Sequence, residues 1–180
     1  MQYIQERSFI ATLTSITPGN EGILDSVEGN HVPAQRTHTW LTITSPFSVE
    51  SQQRFWFGYF DGQNAGYQVR TVASGNGTSH YDVWDLSTNN FVGYYPKSDN
   101  PVLWRVRVDG QKIGIPECGT YNVTLAAPGQ LLFGVRKREK QWQDRYVEVD
   151  ADAKIKLLIE MDVLEVNVPL FDEYSKFLRR

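Results

Sequence analysis

The chain has 180 residues, of which 41% are hydrophobic and 22% charged, and its formal net charge is −3. Those proportions belong to an ordinary globular chain and exclude one disordered through its bulk. The acidic balance argues against general nucleic-acid binding, which needs a basic footprint. Cys118 is the single cysteine, so no intrachain disulfide can form.

A single domain spanning residues 1–180 is expected, because sandwiches and barrels often run this long undivided. Met1-Gln2-Tyr3-Ile4-Gln5-Glu6-Arg7 has no basic region followed by a long apolar run, so no secretory signal is read and cytoplasmic synthesis is expected. Asn76-Gly77-Thr78 and Asn122-Val123-Thr124 match the glycosylation pattern and are read as coincidences in that context.

Phe9 to Ile16 is rich in β-formers and ends at Pro18-Gly19-Asn20. Residues 19–35, dotted with Gly, Asn and Pro, are expected to loop over the surface. From His38 to Ser45, Trp40, Thr42 and Thr44 alternate with Leu41 and Ile43, a strand stopped by Pro46. Arg54 to Phe60 is a dense aromatic run turned by Asp61-Gly62, and Tyr67, Val69 and Thr71 alternate in the next strand. Residues 74–79 read as a Gly/Ser/Asn loop. Tyr81, Val83 and Asp85 then alternate with Asp82, Trp84 and Leu86. Asp109-Gly110, between Val102–Val108 and Gln111–Ile115, predicts a hairpin with a type I′ turn, because both central positions need positive φ. Tyr121 to Leu125 is another strand, and Leu131–Val135 pairs with Arg145–Val149.

Further on, Ile155, Leu157, Ile159, Met161 and Val163 keep a period of two until the phase flips at Leu164, which predicts a bulge or sharp bend. A helix over residues 154–165 competes, but the β-branched content and alternation favour a strand. Leu170, Phe171, Tyr174, Phe177 and Leu178 fall at helical spacing, with acids first and bases last, so residues 169–180 are expected to form an amphipathic helix. Its apolar face should dock on its own domain or on a partner protein. The whole reads as an all-β antiparallel sandwich, of jelly-roll or immunoglobulin-like topology, with that short helix.

The chemistry-bearing residues are sparse. His31, His38 and His80 have no metal-ligand spacing, and Glu117 beside Cys118 works against a reactive thiolate. Asp150-Ala151-Asp152 lacks the glycine and terminal acid of a calcium loop, and no phosphate-binding loop or nucleophile elbow is present. No cofactor, no metal and no catalytic residue is therefore assigned.

Of the 23 aromatic residues, 14 lie between Trp40 and Trp104. Aromatic side chains fill β cores, but exposed ones stack on ligands. The expected ligand-binding residues are Trp56, Tyr59, Tyr67, His80, Trp84 and Trp142 for stacking or anchoring, with Asp61, Asn64, Asn76 and Asp82 for directed hydrogen bonds. Arg136, Lys137, Arg138, Lys140 and Arg145 form the one concentrated basic patch, with Trp142 among them.

Residues Ser74-Gly75-Asn76-Gly77-Thr78-Ser79-His80-Tyr81-Asp82-Val83-Trp84-Asp85, followed by Gly93-Tyr94-Tyr95, resemble a stretch of the aegerolysins. That resemblance implies a small β-sandwich that binds membrane lipids and assists pore formation. The family's following aromatic–Asp–Cys–Pro run is replaced here by Pro96-Lys97-Ser98. The sequence therefore points first to a non-enzymatic recognition module, lectin-like or a toxin component, that binds a glycan or lipid head group. A structural subunit of a virion, tail or sheath is the alternative, and a hydrolase on a β scaffold the third.

Overall fold

The computed structural model describes residues 1–29, 35–37, 39–72, 82–96, 100–111, 114–115, 117–137 and 145–171. They are predominantly β. The strands are β1 (Gln2–Ser15), β2 (Gly22–Asp25), β3 (Thr42–Thr44), β4 (Phe55–Asp61), β5 (Gly66–Thr71), β6 (Val83–Leu86), β7 (Val92–Tyr95), β8 (Arg105–Val108), β9 (Gly119–Ala126), β10 (Phe133–Lys137), β11 (Arg145–Val149) and β12 (Ile159–Val166). Their ladders are antiparallel and join in one continuous sheet, in the order β10-β11-β3-β2-β1-β4-β5-β6-β7, with β12, β9 and β8 branching from β1.

Strand β1 is the axis of the sheet. One edge pairs with β12 from Phe9↔Val166 to Ser15↔Ile159; the other pairs with β4 and then with β2. The sheet curls, and isolated bridges join its outlying parts: Trp40 to Gly93, Phe91 to Glu148, Tyr67 to Trp104, and Gly134 to Lys156. The curl turns alternate side chains inward. Phe9, Ala11 and Leu13 of β1 meet Phe55, Phe57 and Tyr59 of β4, Val147 and Val149 of β11, and Ile159, Met161 and Val163 of β12 in one buried cluster. This is the period-two pattern expected when one face of a sheet packs against a core.

Several expectations meet the structure directly. The Asp109-Gly110 turn has φ of 49° and 79°, and Val108 and Gln111 exchange both backbone hydrogen bonds, at 3.0 and 2.9 Å, but among the described residues the expected second arm is no strand beyond that bridge, and β8 pairs with β9 instead. Residues 133–137 and 145–149 pair as anticipated. The phase flip is a bulge: Ile10 faces Glu165 while Ala11 faces Val163, which leaves Leu164 unpaired and 44% exposed. Val166 then takes the inward side that an unbroken alternation would have given to Glu165. Two strands were not anticipated. Four residues of the 19–35 segment form β2, and β7 follows a short turn in which Asn90 adopts φ of 63°. Both are short, and pairing on their two sides holds them in place.

A second, smaller cluster lies on the outer face of β1 and β4. Ile10, Trp56 and Val72 are covered there by Val168 and Phe171 of the chain's own C-terminal segment. Tyr3 Oη donates to the Val168 carbonyl at 2.6 Å, and Trp56 Nε1 donates to the Pro169 carbonyl at 3.1 Å. Of the segment expected to be helical, residues 172–180 lie outside the described residues.

Candidate functional site

Burial reassigns most of the predicted stacking residues. Trp56 and Trp84 are fully buried, and Tyr59 and Tyr67 are 3% exposed. Trp84, Tyr59 and Tyr67 fill the inner core, while Trp56 lies beneath the C-terminal segment. None of the four presents a ring face to a ligand. The reason is the parity of their strands: dense aromatic runs on paired central strands put every ring against either the core or a covering segment. Burial pushes the Tyr67 phenol up to about 12, against the pull of the nearby Arg7 cation.

Asp61 and Asn64 are exposed, but they serve the β4–β5 turn. Asp61 Oδ1 accepts from the Gly62 N–H at 3.0 Å, and the Asn64 carbonyl accepts from Arg105 Nη2 at 3.3 Å. Asp82 precedes β6 and is partly buried, and its carboxylate acts on the buried Tyr94 phenol. Asn76, His80, Trp142, Arg138 and Lys140, like His31 and His38, lie outside the described residues. Of the basic patch, Arg136 and Lys137 are exposed on β10. Arg145 starts β11 and donates through Nη1 to the Glu21 carbonyl at 2.9 Å. Partial burial lowers the Arg145 pKa.

The structure assembles a different set of rings on the outer face of the sheet. Trp40, Asn89, Phe91, Arg136 and Tyr146 line a cleft of about 260 Å³. Each wall follows from strand parity. Leu41, Val92 and Val147 point into the core, so Trp40, Phe91 and Tyr146 point out. Backbone hydrogen bonds bring the three segments side by side: the Leu41 N–H donates to the Val92 carbonyl at 2.9 Å, and the Val147 N–H donates to the Leu41 carbonyl at 3.0 Å. Gly93 makes room for the Trp40 ring, since a Cβ there would lie 2.9 Å from the Thr39 carbonyl oxygen and 3.1 Å from Trp40 Cε3.

The rings meet at an angle. The Phe91 centroid is 5.8 Å from that of Trp40 and 5.8 Å from that of Tyr146, with interplanar angles of 58° and 69°. Trp40 and Phe91 remain partly exposed, whereas Tyr146 is 5% exposed. Polar groups complete the walls. Arg136 opposes Tyr146 across the β10–β11 ladder and holds its guanidinium carbon 5.3 Å from the Phe91 centroid. Arg136 Nε sits 2.6 Å from Glu148 Oε2 as an ion pair. Tyr146 Oη donates to Glu28 Oε2 at 3.0 Å, and Glu28 Oε1 accepts from Thr37 Oγ1 at 2.7 Å.

Of the predicted site residues among those described, only Arg136 lines this cleft. Trp40 was legible as a residue facing away from Leu41 and Ile43. Phe91 and Asn89 belong to the unanticipated β7 turn, and Tyr146 was readable only as the out-of-phase neighbour of Val147. Among the described residues no group of three His, Cys, Asp or Glu side chains could hold a metal ion. No helix among them is long and apolar enough to cross a membrane. Comparison with protein-family models, curated proteins and solved structures finds no match for the chain. Of the residues that resemble the aegerolysins, 82–85 and 93–95 fall on or beside β6 and β7, where Trp84 and Tyr94 are buried.

Proposed function

We propose that this protein is a non-enzymatic recognition module whose outer cleft takes one glycan unit or one lipid head group. At finer grain than the curled sheet, the scaffold is read as a β-sandwich. The observation that carries the proposal is the cleft itself: two partly exposed aromatic rings, set at an angle, with Asn89 and Arg136 beside them. Ligand sites combine apolar, often aromatic walls with a few placed polar groups. A cleft of about 260 Å³ suits a single ring or head group rather than an extended chain. Trp40 and Phe91 offer faces for C–H contacts, and the Asn89 amide and Arg136 guanidinium carry donors that fix orientation.

The test is Trp40→Ala, with binding measured on a glycan panel and by vesicle flotation. The wild-type protein should bind a member of one class, and the variant should lose that binding by at least about tenfold, with an unchanged far-ultraviolet spectrum. Undiminished binding by a folded Trp40→Ala protein would remove the cleft from consideration.

A second reading, a structural subunit of a larger assembly, is favoured by the far end of the sheet. Phe47 is 98% exposed on the turn at Pro46–Ser48, and Ile16 and Leu158 are 38% and 45% exposed. Light scattering would show a defined oligomer that Phe47→Ser converts to monomer; a monomeric wild type would sink this reading.

A further inference from the structure

Strand β1 carries a cation on its inward side. Phe9, Ala11 and Leu13 point into the core, and Arg7 shares their parity, while Glu6 has the other parity and is exposed. The strand is irregular at that point: between Ile4↔Tyr59 and Phe9↔Phe57, β1 runs through more residues than β4 does. Ser8 pins the irregularity, its Oγ donating to the Ile4 carbonyl at 2.8 Å and accepting from the Tyr59 N–H at 2.9 Å. Such a bulge re-aims the side chains beside it. Here it sets the Arg7 guanidinium carbon 3.6 Å from the centre of the Tyr59 ring. The next ring, with its centroid 5.1 Å from that of Tyr59, belongs to Tyr67, whose hydroxyl is buried and has no hydrogen-bond partner among the described residues. Arg7 acts electrostatically on that hydroxyl, and the Tyr59 phenol acts on Arg105 of β8. Arg105 donates to two neutral acceptors, the Leu103 carbonyl at 2.6 Å and the Asn64 carbonyl at 3.3 Å. Among the described residues neither arginine is paired with a carboxylate.

A cation drawn partly out of water costs free energy until a counter-charge meets it, and a buried hydroxyl costs free energy until it finds an acceptor. One group answers both needs, an anionic oxygen. Stacking on Tyr59 occupies a face of the Arg7 guanidinium and leaves its N–H edge, which fits two oxygens of an oxyanion. We infer that Arg7 and the Tyr67 hydroxyl hold a phosphate or sulfate group at this end of the core, with Arg105 supplying a second positive charge. A doubly charged oxyanion matches two guanidinium groups better than a carboxylate or chloride does. Among the described residues only the ring contact holds Arg7, so the side chain can shift to admit an oxygen to the hydroxyl. The site shares no lining residue with the Trp40 cleft, and it does not rest on the reading of that cleft.

Inorganic phosphate, sulfate, acetate and chloride are titrated into the full chain by calorimetry at constant ionic strength, which holds screening fixed. Phosphate and sulfate should bind saturably, and acetate and chloride at least about tenfold more weakly. Arg7→Gln should weaken phosphate by at least about tenfold, and Arg105→Gln should weaken it less. Tyr67→Phe separates a ligand contact from a structural one. Without phosphate this variant should melt no lower than the wild type, because the hydroxyl it loses had no partner; its affinity for phosphate should fall about tenfold. Flotation with phosphatidic acid vesicles, against phosphatidylcholine vesicles, distinguishes the two sources of the group: Arg7-dependent flotation supports the site with a lipid phosphate, and phosphate binding without flotation supports it with a soluble one. Absence of saturable phosphate and sulfate binding overturns the inference. So does equal affinity for acetate or chloride, and so does phosphate binding that Arg7→Gln and Tyr67→Phe leave unchanged. None of these results bears on the Trp40 cleft, whose reading stands or falls with Trp40→Ala.

Discussion

Asp25 shows how much one buried charge can demand of its neighbours. Its carboxylate is fully buried and takes two bonds from Arg36, Nε to Oδ1 at 2.7 Å and Nη2 to Oδ2 at 2.8 Å, with a third from the Ser26 N–H at 2.7 Å. The hydrogen bond to Asp25 raises the Arg36 pKa despite partial burial. Arg36→Met would leave the carboxylate unpaired, and chemical denaturation should register a loss of about 3–5 kcal/mol. Gly58 is constrained by space rather than by φ. A Cβ there would lie 1.8 Å from Trp56 Cη2, so Gly58→Ala must push the indole off its packing against Phe171. A loss of about 1–3 kcal/mol and an altered tryptophan emission are expected. Two phenols set the alkaline limit. Tyr67 is raised from 10.0 to about 12 and Tyr94 well above its ordinary value, both chiefly by burial. A group held protonated by the fold contributes its full stability below the unfolded value and loses it as pH rises through the folded one. Urea midpoints should therefore fall between pH 10 and about 12, and the last phenolate absorbance should appear together with unfolding. A midpoint flat across that window would contradict the burial of both rings.

The elements divide according to whether their determinants are local. The β8 turn needs only Asp109-Gly110, whose positive φ values are cheap for those residue types. The bulge at Leu164 was legible because inward apolar residues change phase there. Leu164→Ser should change stability by less than about 1 kcal/mol, since the side chain faces solvent, whereas Met161→Ala, fully buried on the same strand, should cost about 2–5 kcal/mol by denaturation. Strands β2 and β7 were illegible for the opposite reason. Gly22–Asp25 and Val92–Tyr95 are too short to show a period, and turn residues border them. They are strands because β1 and β3 flank the first, and β6 and the Trp40 bridge flank the second. A faint internal repeat, Gly58-Tyr59-Phe60 against Gly93-Tyr94-Tyr95 with an arginine following each, does not mark two related hairpins. Strand β4 pairs with β5, but β7 pairs with β6 and β8 with β9.

At the scale of the molecule, the first strand is completed by the last. Phe9 pairs with Val166, and β12 lies between β1 and β9, so the core stays open until nearly the whole chain is present. Such long-range pairing makes folding slow, in the millisecond-to-second range typical of β topologies. A chain ending before Ile159 should fail to fold, giving a collapsed near-ultraviolet spectrum; a native-like spectrum from it would show β12 to be peripheral. Removal of residues 170–180 is milder, because it uncovers Trp56 and Ile10 without opening the inner core. That variant should stay folded, bind more hydrophobic dye and melt lower.

The sequence by itself determined that the chain would be β-rich, where its tight turn at Asp109-Gly110 falls, how β10 meets β11, and that the last long strand breaks phase at Leu164. Each of these depends on residues within a few positions of one another, through φ preference or side-chain parity. Only the tertiary structure decided which aromatic rings are available. Trp56, Tyr59, Tyr67 and Trp84 sit in the densest aromatic stretch and are buried, while Trp40, Phe91 and Tyr146 come from three distant segments and share a cleft. Parity assigns a side chain to one face of its strand. Whether that face meets core, a covering segment or solvent depends on how the sheet curls, and the curl is set by pairings between residues far apart in the chain.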